Sequence, residues 1–147
     1  MPRAELHISL AQQQLELRCG GETLARYPIS SGAAGVGFAE GSGCTPTGNF
    51  RICSRHGENA PLHTCFRGRI PRSTAGEGSD LILARILCLD GLDPANANTR
   101  ARYIYIHGTA DTARLGTPAS HGCIRMAPCD IAELYPHCPI GTPVRID

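Results

Sequence analysis

The sequence predicts a mostly β fold, and three observations carry that reading. Apolar residues recur at every second position over most of the chain, the period of a half-buried strand rather than of a helix. Glycine and proline, 17 and 11 of the 147 residues, break the chain into short runs bounded by turn chemistry. Only one stretch, after Pro128, places its apolar residues on a helical face. The length predicts a single domain over residues 1–147, large enough to bury roughly 70% of its unfolded surface. The sequence shows no internal repeat, low-complexity tract or linker.

The elements follow in order. Leu6, Ile8 and Leu10 alternate with His7 and Ser9, and Leu15, Leu17 and Cys19 alternate with Glu16 and Arg18. Gly20-Gly21 then supplies a two-residue hairpin turn, because glycine accepts positive φ. The chain returns from Thr23 to Ile29, which predicts a meander of short antiparallel strands. Residues 30–44 are rich in glycine and serine and read as a loop. Thr45-Pro46-Thr47-Gly48 reads as a turn feeding a strand from Asn49 to Cys53. Residues 55–80 show little apolar periodicity and read as one long loop, either a lid or binding loop or a surface excursion. Leu81–Leu89 is apolar and rich in branched residues, as a buried strand requires, and Tyr103–Ile106 is a further strand. Pro128 suits the first turn of a helix, with Ile131, Leu134 and Tyr135 on one face and Pro136 ending it. Gly141-Thr142-Pro143 turns the chain into a last strand at Val144–Ile146.

Composition excludes several classes of function. A net charge of +1 gives no electrostatic case for nucleic acid or an anionic membrane. All 14 basic residues are arginine, so no lysine is available as a Schiff-base former or general base, while many rigid forks suit carboxylates. No apolar signal core lies near Met1, and the apolar stretch 81–89 is too short to cross a bilayer. These features predict a soluble, cytoplasmic protein; the alternative is a periplasmic one whose leader has been removed. In the reducing cytosol the eight cysteines are expected to be free thiols, most of them buried small apolar side chains.

Chemistry concentrates at Ser120-His121-Gly122-Cys123-Ile124-Arg125. A cysteine that meets a histidine in space is the minimal equipment for thiolate catalysis, since a free thiol near pKa 8.5 is only a few per cent ionised at neutral pH and a histidine cation lowers that value. His121, two residues from Cys123, is poorly placed to reach the sulfur. His107 ends a strand in another segment, and strand pairing could set it opposite Cys123; it is the candidate base, with the Gly108 carbonyl as a candidate partner for its ring. Gly122 lets the backbone approach a substrate closely, and the N–H groups around Gly122 and Cys123 are candidate oxyanion donors. Arg125 points to the same side as Cys123 on an extended segment and suits a substrate carboxylate.

Two other readings compete. A lone cysteine near a histidine is commonly packing. A metal site draws on His107, His121, Cys123, Cys129, His137 and Cys138, yet no Cys-x-x-Cys pair exists. The zinc deaminase pattern fails because position 132 is alanine. No metal and no cofactor is expected.

The motifs also carry a family resemblance. Ile106-His107-Gly108, a gap, and Ser120-His121-Gly122-Cys123-Ile124-Arg125 resemble the signature of the L,D-transpeptidase catalytic domain (YkuD-type) of bacterial cell-wall enzymes. Thr45-Pro46-Thr47-Gly48-Asn49-Phe50 and Tyr27-Pro28-Ile29-Ser30-Ser31-Gly32 resemble two further motifs of that family, so the likeness spans nearly the whole chain. It implies a β-sandwich-like fold of mixed sheets with one or two short helices. It implies that Cys123 attacks the L-centred carbonyl of diaminopimelate in a murein tetrapeptide, that His107 protonates the departing D-Ala, that Ser120 and His121 shape the site and that Arg125 binds substrate. Carbapenem-type β-lactams are implied as covalent inhibitors. Tyr105, Arg67 and Arg69 are further substrate-contact candidates, Arg72 stands in the same arginine-rich loop, and Asp80, Asp90 and Asp111 are candidates for reading the diamino acid's amine. Combined with the missing leader, the resemblance predicts a cytoplasmic L,D-carboxypeptidase that trims soluble muropeptides during recycling. The alternatives are an exported enzyme that forms 3→3 cross-links or exchanges D-amino acids, and a non-enzymatic murein-peptide binding module.

Overall fold

The computed structural model of the chain describes residues 3–67, 69–73 and 82–147, with side chains except at 67, 72 and 73. The side chains of Arg67 and Arg72, together with Asp80, therefore lie outside the described residues. Ten strands join into one connected mixed sheet. They are β1 (Ala4–Ser9), β2 (Gln14–Cys19), β3 (Glu22–Pro28), β4 (Gly48–His56), β5 (Cys65–Arg67), β6 (Ile70–Ser73), β7 (Ile82–Gly91), β8 (Tyr105–Gly108), β9 (Ile124–Met126) and β10 (Pro143–Ile146). One helix, α1 (Pro128–Leu134), packs against β7 and β8.

The N-terminal meander forms as its alternation predicts. β1 pairs with β2 and β2 with β3, all antiparallel. Gly20 and Gly21 both take positive φ, 61° and 82°, the two-residue turn whose twist matches the strands it joins. Leu6, Ile8, Leu15 and Leu17 face the core. The C-terminal strand then enters where no sequence pattern announced it: β10 lies parallel to β1 and antiparallel to β4.

Three expectations need correction. The segment 55–80 is not one open loop, because β5 and β6 form a hairpin inside it. β5 pairs with the start of β7, along the edge that β4 leaves at His56. The strand expected from Tyr103 begins instead at Tyr105, since Tyr103 has φ 57° and its ring stands in solvent. Most cysteines are not buried: Cys88 and Cys138 are, five are half-buried and Cys129 is exposed, and each is a free thiol.

The helix starts at Pro128 and buries Ile131 and Leu134. It tightens into a single 3₁₀ turn over Tyr135–His137, so Pro136 sits within that turn rather than after the last one. The core draws on all of β1–β4, on β7–β10 and on α1, with Phe50, Ile52, Leu87, Leu89, Ile106, Ile124 and Met126 at its centre.

Candidate active site

β7, β8 and β9 position the candidate residues. β8 pairs antiparallel with β7 and parallel with β9. The parallel register sets His107 opposite Arg125 and Ile106 opposite Ile124. His107 is thus not directly across from Cys123, as simple pairing had suggested, but diagonal to it. Residues two apart on a strand share a face, so Cys123, Arg125 and His107 come to one side. All three line a recess of about 270 Å³ with Ile82, Ser120 and His121.

β7 reaches β8 through an irregularity. Its register with β8 shifts between Leu83 and Ile86, where Ala84 takes φ 68°. The chain comes so close at this point that a Cβ on Gly108 would lie 2.5 Å from Leu83 O. Gly108 is therefore a packing requirement as well as a candidate partner for the histidine. His107 is buried, and its Nδ1 lies 2.7 Å from the Gly108 carbonyl oxygen. That contact assigns the proton to Nδ1 in the neutral ring and leaves the lone pair on Nε2.

The turn before Cys123 is fixed by Ser120. Its hydroxyl donates to the Cys123 carbonyl at 2.6 Å and accepts from the Gly122 N–H at 3.1 Å. The Gly122 amide is thus engaged, and the Cys123 amide is the member of the pair with no acceptor among the described residues. Gly122 has φ 124°, and a Cβ there would meet Cys44 O at 3.0 Å.

Two motifs that resemble those of the family, Tyr27–Gly32 and Thr45–Phe50, brace this segment. Ser30 and Arg125 exchange backbone hydrogen bonds at 3.0 and 2.9 Å, and Ser31 O accepts from the Ala119 and Ser120 amides. Thr45, fully buried, accepts from the Gly32 N–H at 2.8 Å and donates to the Gly122 carbonyl at 2.9 Å. A Cβ on Gly32 would approach Gly43 O to 2.6 Å and Gly122 Cα to 3.3 Å. The threonine of Thr-Pro-x-Gly and the glycine of Ser-Ser-Gly could have been suspected from their motifs. Arg102 had no such signal; its guanidinium donates to the carbonyls of Cys44 at 2.8 Å and Gly37 at 3.3 Å, tying the glycine-rich loop to the segment before β8.

The sulfur of Cys123 receives the Tyr105 N–H at 3.4 Å and donates to the Tyr103 carbonyl, also at 3.4 Å. Burial pushes its thiol up to about 11, opposed by the Tyr105 N–H and the charges of Arg125 and Arg102. Burial thus favours the thiol over the thiolate. For this sulfur to act as a nucleophile, a base would have to take its proton.

The remaining candidates sit less centrally. Tyr105 offers the sulfur its backbone, while its ring packs with Phe66, Ile86 and Cys88. His121 is exposed and also borders a second recess with Glu40, Arg102 and Tyr103. Arg69 is exposed beside the start of β6. Asp90 pairs with Arg51, away from the recess. Among the described residues no three His, Cys, Asp or Glu side chains converge to hold a metal ion. A larger recess, about 550 Å³, lies over β1, β10 and β4. Its lining includes His7, Arg145 and Asp147 but no cysteine, serine or threonine.

Known proteins share this fold and its sequence pattern. The family model for the L,D-transpeptidase catalytic domain, YkuD, matches residues 3–146. The fold is similar to an L,D-transpeptidase from Mycobacterium smegmatis, with TM-score 0.67 and 16% identity over 99% of this chain and 59% of that one. It is also similar to L,D-transpeptidase 3 from Mycobacterium tuberculosis in complex with a faropenem-derived adduct, with TM-score 0.65 and 17% identity over 99% and 60%. LdtMt1 in complex with imipenem gives 0.63 and 19% over 99% and 59%. This chain thus spans about 60% of the length of these neighbours. A 41-residue segment is 51% identical to a Fuscovulum blasticum protein provisionally named as an L,D-transpeptidase in the ATP synthase subunits region, covering 28% of this chain and 22% of that one. With the family model matched from residue 3 to residue 146, the chain belongs to the YkuD family of L,D-transpeptidase catalytic domains.

Proposed function

We propose that this domain is a cysteine acyltransferase acting on murein stem peptides, with Cys123 as nucleophile and His107 as the base that becomes the acid. The observation that carries this reading is the shared recess in which Cys123, His107, Ser120 and Arg125 meet, within a chain of this family. The Sγ proton passes to His107 as sulfur attacks the L-centred carbonyl. The tetrahedral oxyanion takes the Cys123 N–H, a donor the protein holds in place before reaction. Collapse breaks the C–N bond, His107 returns the proton to the departing amine of D-Ala, and a thioester remains on Cys123. His107, oriented by the Gly108 carbonyl, then deprotonates the acceptor.

Water as acceptor makes the domain an L,D-carboxypeptidase, and the proposed setting for that branch is trimming of soluble muropeptides in the cytoplasm. An amine as acceptor makes it a transpeptidase that forms 3→3 links or exchanges D-amino acids. The β-lactam complexes of two structural neighbours support covalent inhibition of Cys123 by carbapenem-type compounds. The test is incubation with a murein tetrapeptide, with and without a D-amino acid, followed by mass spectrometry of the products. D-Ala release that disappears in Cys123→Ala supports the reading. No release under either condition would overturn it, as a murein-peptide binding module requires.

A further inference from the structure

Arg125 is the charged group most deeply placed in the site, 4% exposed, and a guanidinium buried to that degree needs a partner. Its Nη1 lies 3.4 Å from the Ala119 carbonyl and 3.6 Å from Asp111 Oδ2. That carboxylate oxygen is itself buried and accepts no hydrogen bond among the described residues. It sits between buried Arg125 and exposed Arg114, whose Nε is 3.4 Å away. The backbone under Asp111 is pinned as well: its N–H donates to Thr109 Oγ1 at 3.1 Å, and Thr109 N–H donates to Met126 O at 2.9 Å on β9. The loop after β8 is thereby fastened to the strand that carries Arg125, with its carboxylate at the guanidinium.

We infer that Asp111 is a positioning residue that holds the Arg125 guanidinium on the wall of the recess, where it faces the Cys123 sulfur and a substrate carboxylate. This rests on the functional reading above only for the identity of the substrate; the link between Asp111, Arg125 and the sulfur stands on the geometry. Arg125 and Arg102 favour ionisation of Cys123 and Cys88 opposes it. His107 and His121 share the recess, and Tyr105 supplies the N–H bond to sulfur. A guanidinium released from Asp111 would leave the sulfur with less positive charge nearby. Removing a negative charge without moving Arg125 would do the opposite. The two cases differ in sign, which makes the inference testable.

The experiment alkylates the protein with iodoacetamide from neutral pH to about pH 11 and follows the Cys123 peptide by mass spectrometry, separately from the other thiols. In Asp111→Asn the Cys123 profile should move to higher pH, with a rate below the plateau lowered about three- to tenfold. Asp111→Glu should restore most of that loss. Arg125→Lys, which keeps the charge but not the planar fork, should be slowed in the same direction, and adding Asp111→Asn to it should cost little more, as expected for coupled residues. Arg114→Gln, which removes an exposed pair of small energetic weight, should leave the profile in place. A profile that stays or moves to lower pH in Asp111→Asn, or losses that simply add in the double variant, would overturn the inference. If Asp111→Asn does not fold, Arg125→Lys with and without Asp111→Glu reads the same coupling. The assay uses no murein peptide, so absent tetrapeptide turnover overturns the functional reading alone, and an unshifted alkylation profile overturns the Asp111 link alone.

Discussion

The two ends of the sheet are built on different principles. At the β1–β2–β3 end, inward and outward residues alternate despite one register shift between Leu17 and Arg18 and Gln13 at φ 50°, the β2–β3 turn is a two-glycine hairpin, and Gly21 has open space where a Cβ would stand. At the β7–β8–β9 end, β7 is bulged, Ala84 and Tyr103 take positive φ, and Gly32 and Gly108 stand where a Cβ would strike backbone. Gly122 is nearly as confined. The first end needs glycine for its φ alone. The second needs it for room, because four chain segments converge on Cys123. A recess also exists over the regular strands, and it is the larger, so volume does not distinguish the two ends. Crowding does: at the second end Gly32 and Gly108 leave no room for a Cβ, whereas Gly21 at the first leaves room.

The sharpest way to break that contrast is to add a methyl group at each end. Gly108→Ala and Gly32→Ala should each cost about 3 kcal/mol, the upper part of the range for overpacking against backbone that cannot yield. Both should also abolish rapid acylation of Cys123, because the methyl displaces β7 from β8 or Ser30–Gly32 from the turn before Cys123. Chemical denaturation and a mass-spectrometric acylation assay measure the two effects. Stability loss with acylation unchanged would show that the crowding does not support the site.

Thr45→Val comes next. It keeps the shape but leaves the Gly32 N–H without its acceptor and the Gly122 carbonyl without its donor. The expected cost is about 1–3 kcal/mol, with slower acylation at unchanged secondary structure by circular dichroism. A variant as stable and as reactive as the parent would remove Thr45 from the account.

Alkaline pH tests the buried thiols. Burial raises Cys123 from 9.0 to about 11 and Cys138 from 9.0 to about 12. The unfolded chain ionises these groups first, so the stability they contribute is fully present below about pH 9 and is lost as pH rises toward 11 and 12. Thermal melting should therefore show a falling Tm across that window, with a shallower fall in Cys138→Ala. Equal slopes in the two proteins would contradict the burial of Cys138.

The smallest effect belongs to the regular end. Gly21→Ala should cost only about 1 kcal/mol, the penalty for a left-handed residue with no clash, and should leave acylation untouched.

The same contrast explains what could be read in the sequence. Period-two alternation located β1, β2 and β3, the glycine pair located their hairpin, and Pro128 located α1, because each rests on local chemistry. The partnership of β10 with β1 and β4 was not legible, since parallel pairing between chain ends leaves no local trace. β5 and β6 were missed because strands of three and four residues give too little periodicity. At the candidate site, Cys123 and His107 were visible as residue types in motifs. Their diagonal register, the engagement of the Gly122 N–H by Ser120 and the bracing by Thr45 and Arg102 depend on which segments cross there. The upward push of burial on the Cys123 thiol was equally hidden, because burial is a property of the assembled fold.

The central claim is that the crowded end of the sheet makes Cys123 the reactive thiol, although Cys129 is more exposed. The most direct measurement is incubation with a carbapenem, followed by intact-mass and peptide-level mass spectrometry of the parent, Cys123→Ala and His107→Ala. One adduct is expected, located on the peptide containing Cys123, absent in Cys123→Ala and formed at least about a hundredfold more slowly in His107→Ala. An adduct on Cys129 or Cys44, or one that forms as fast without His107, would contradict it.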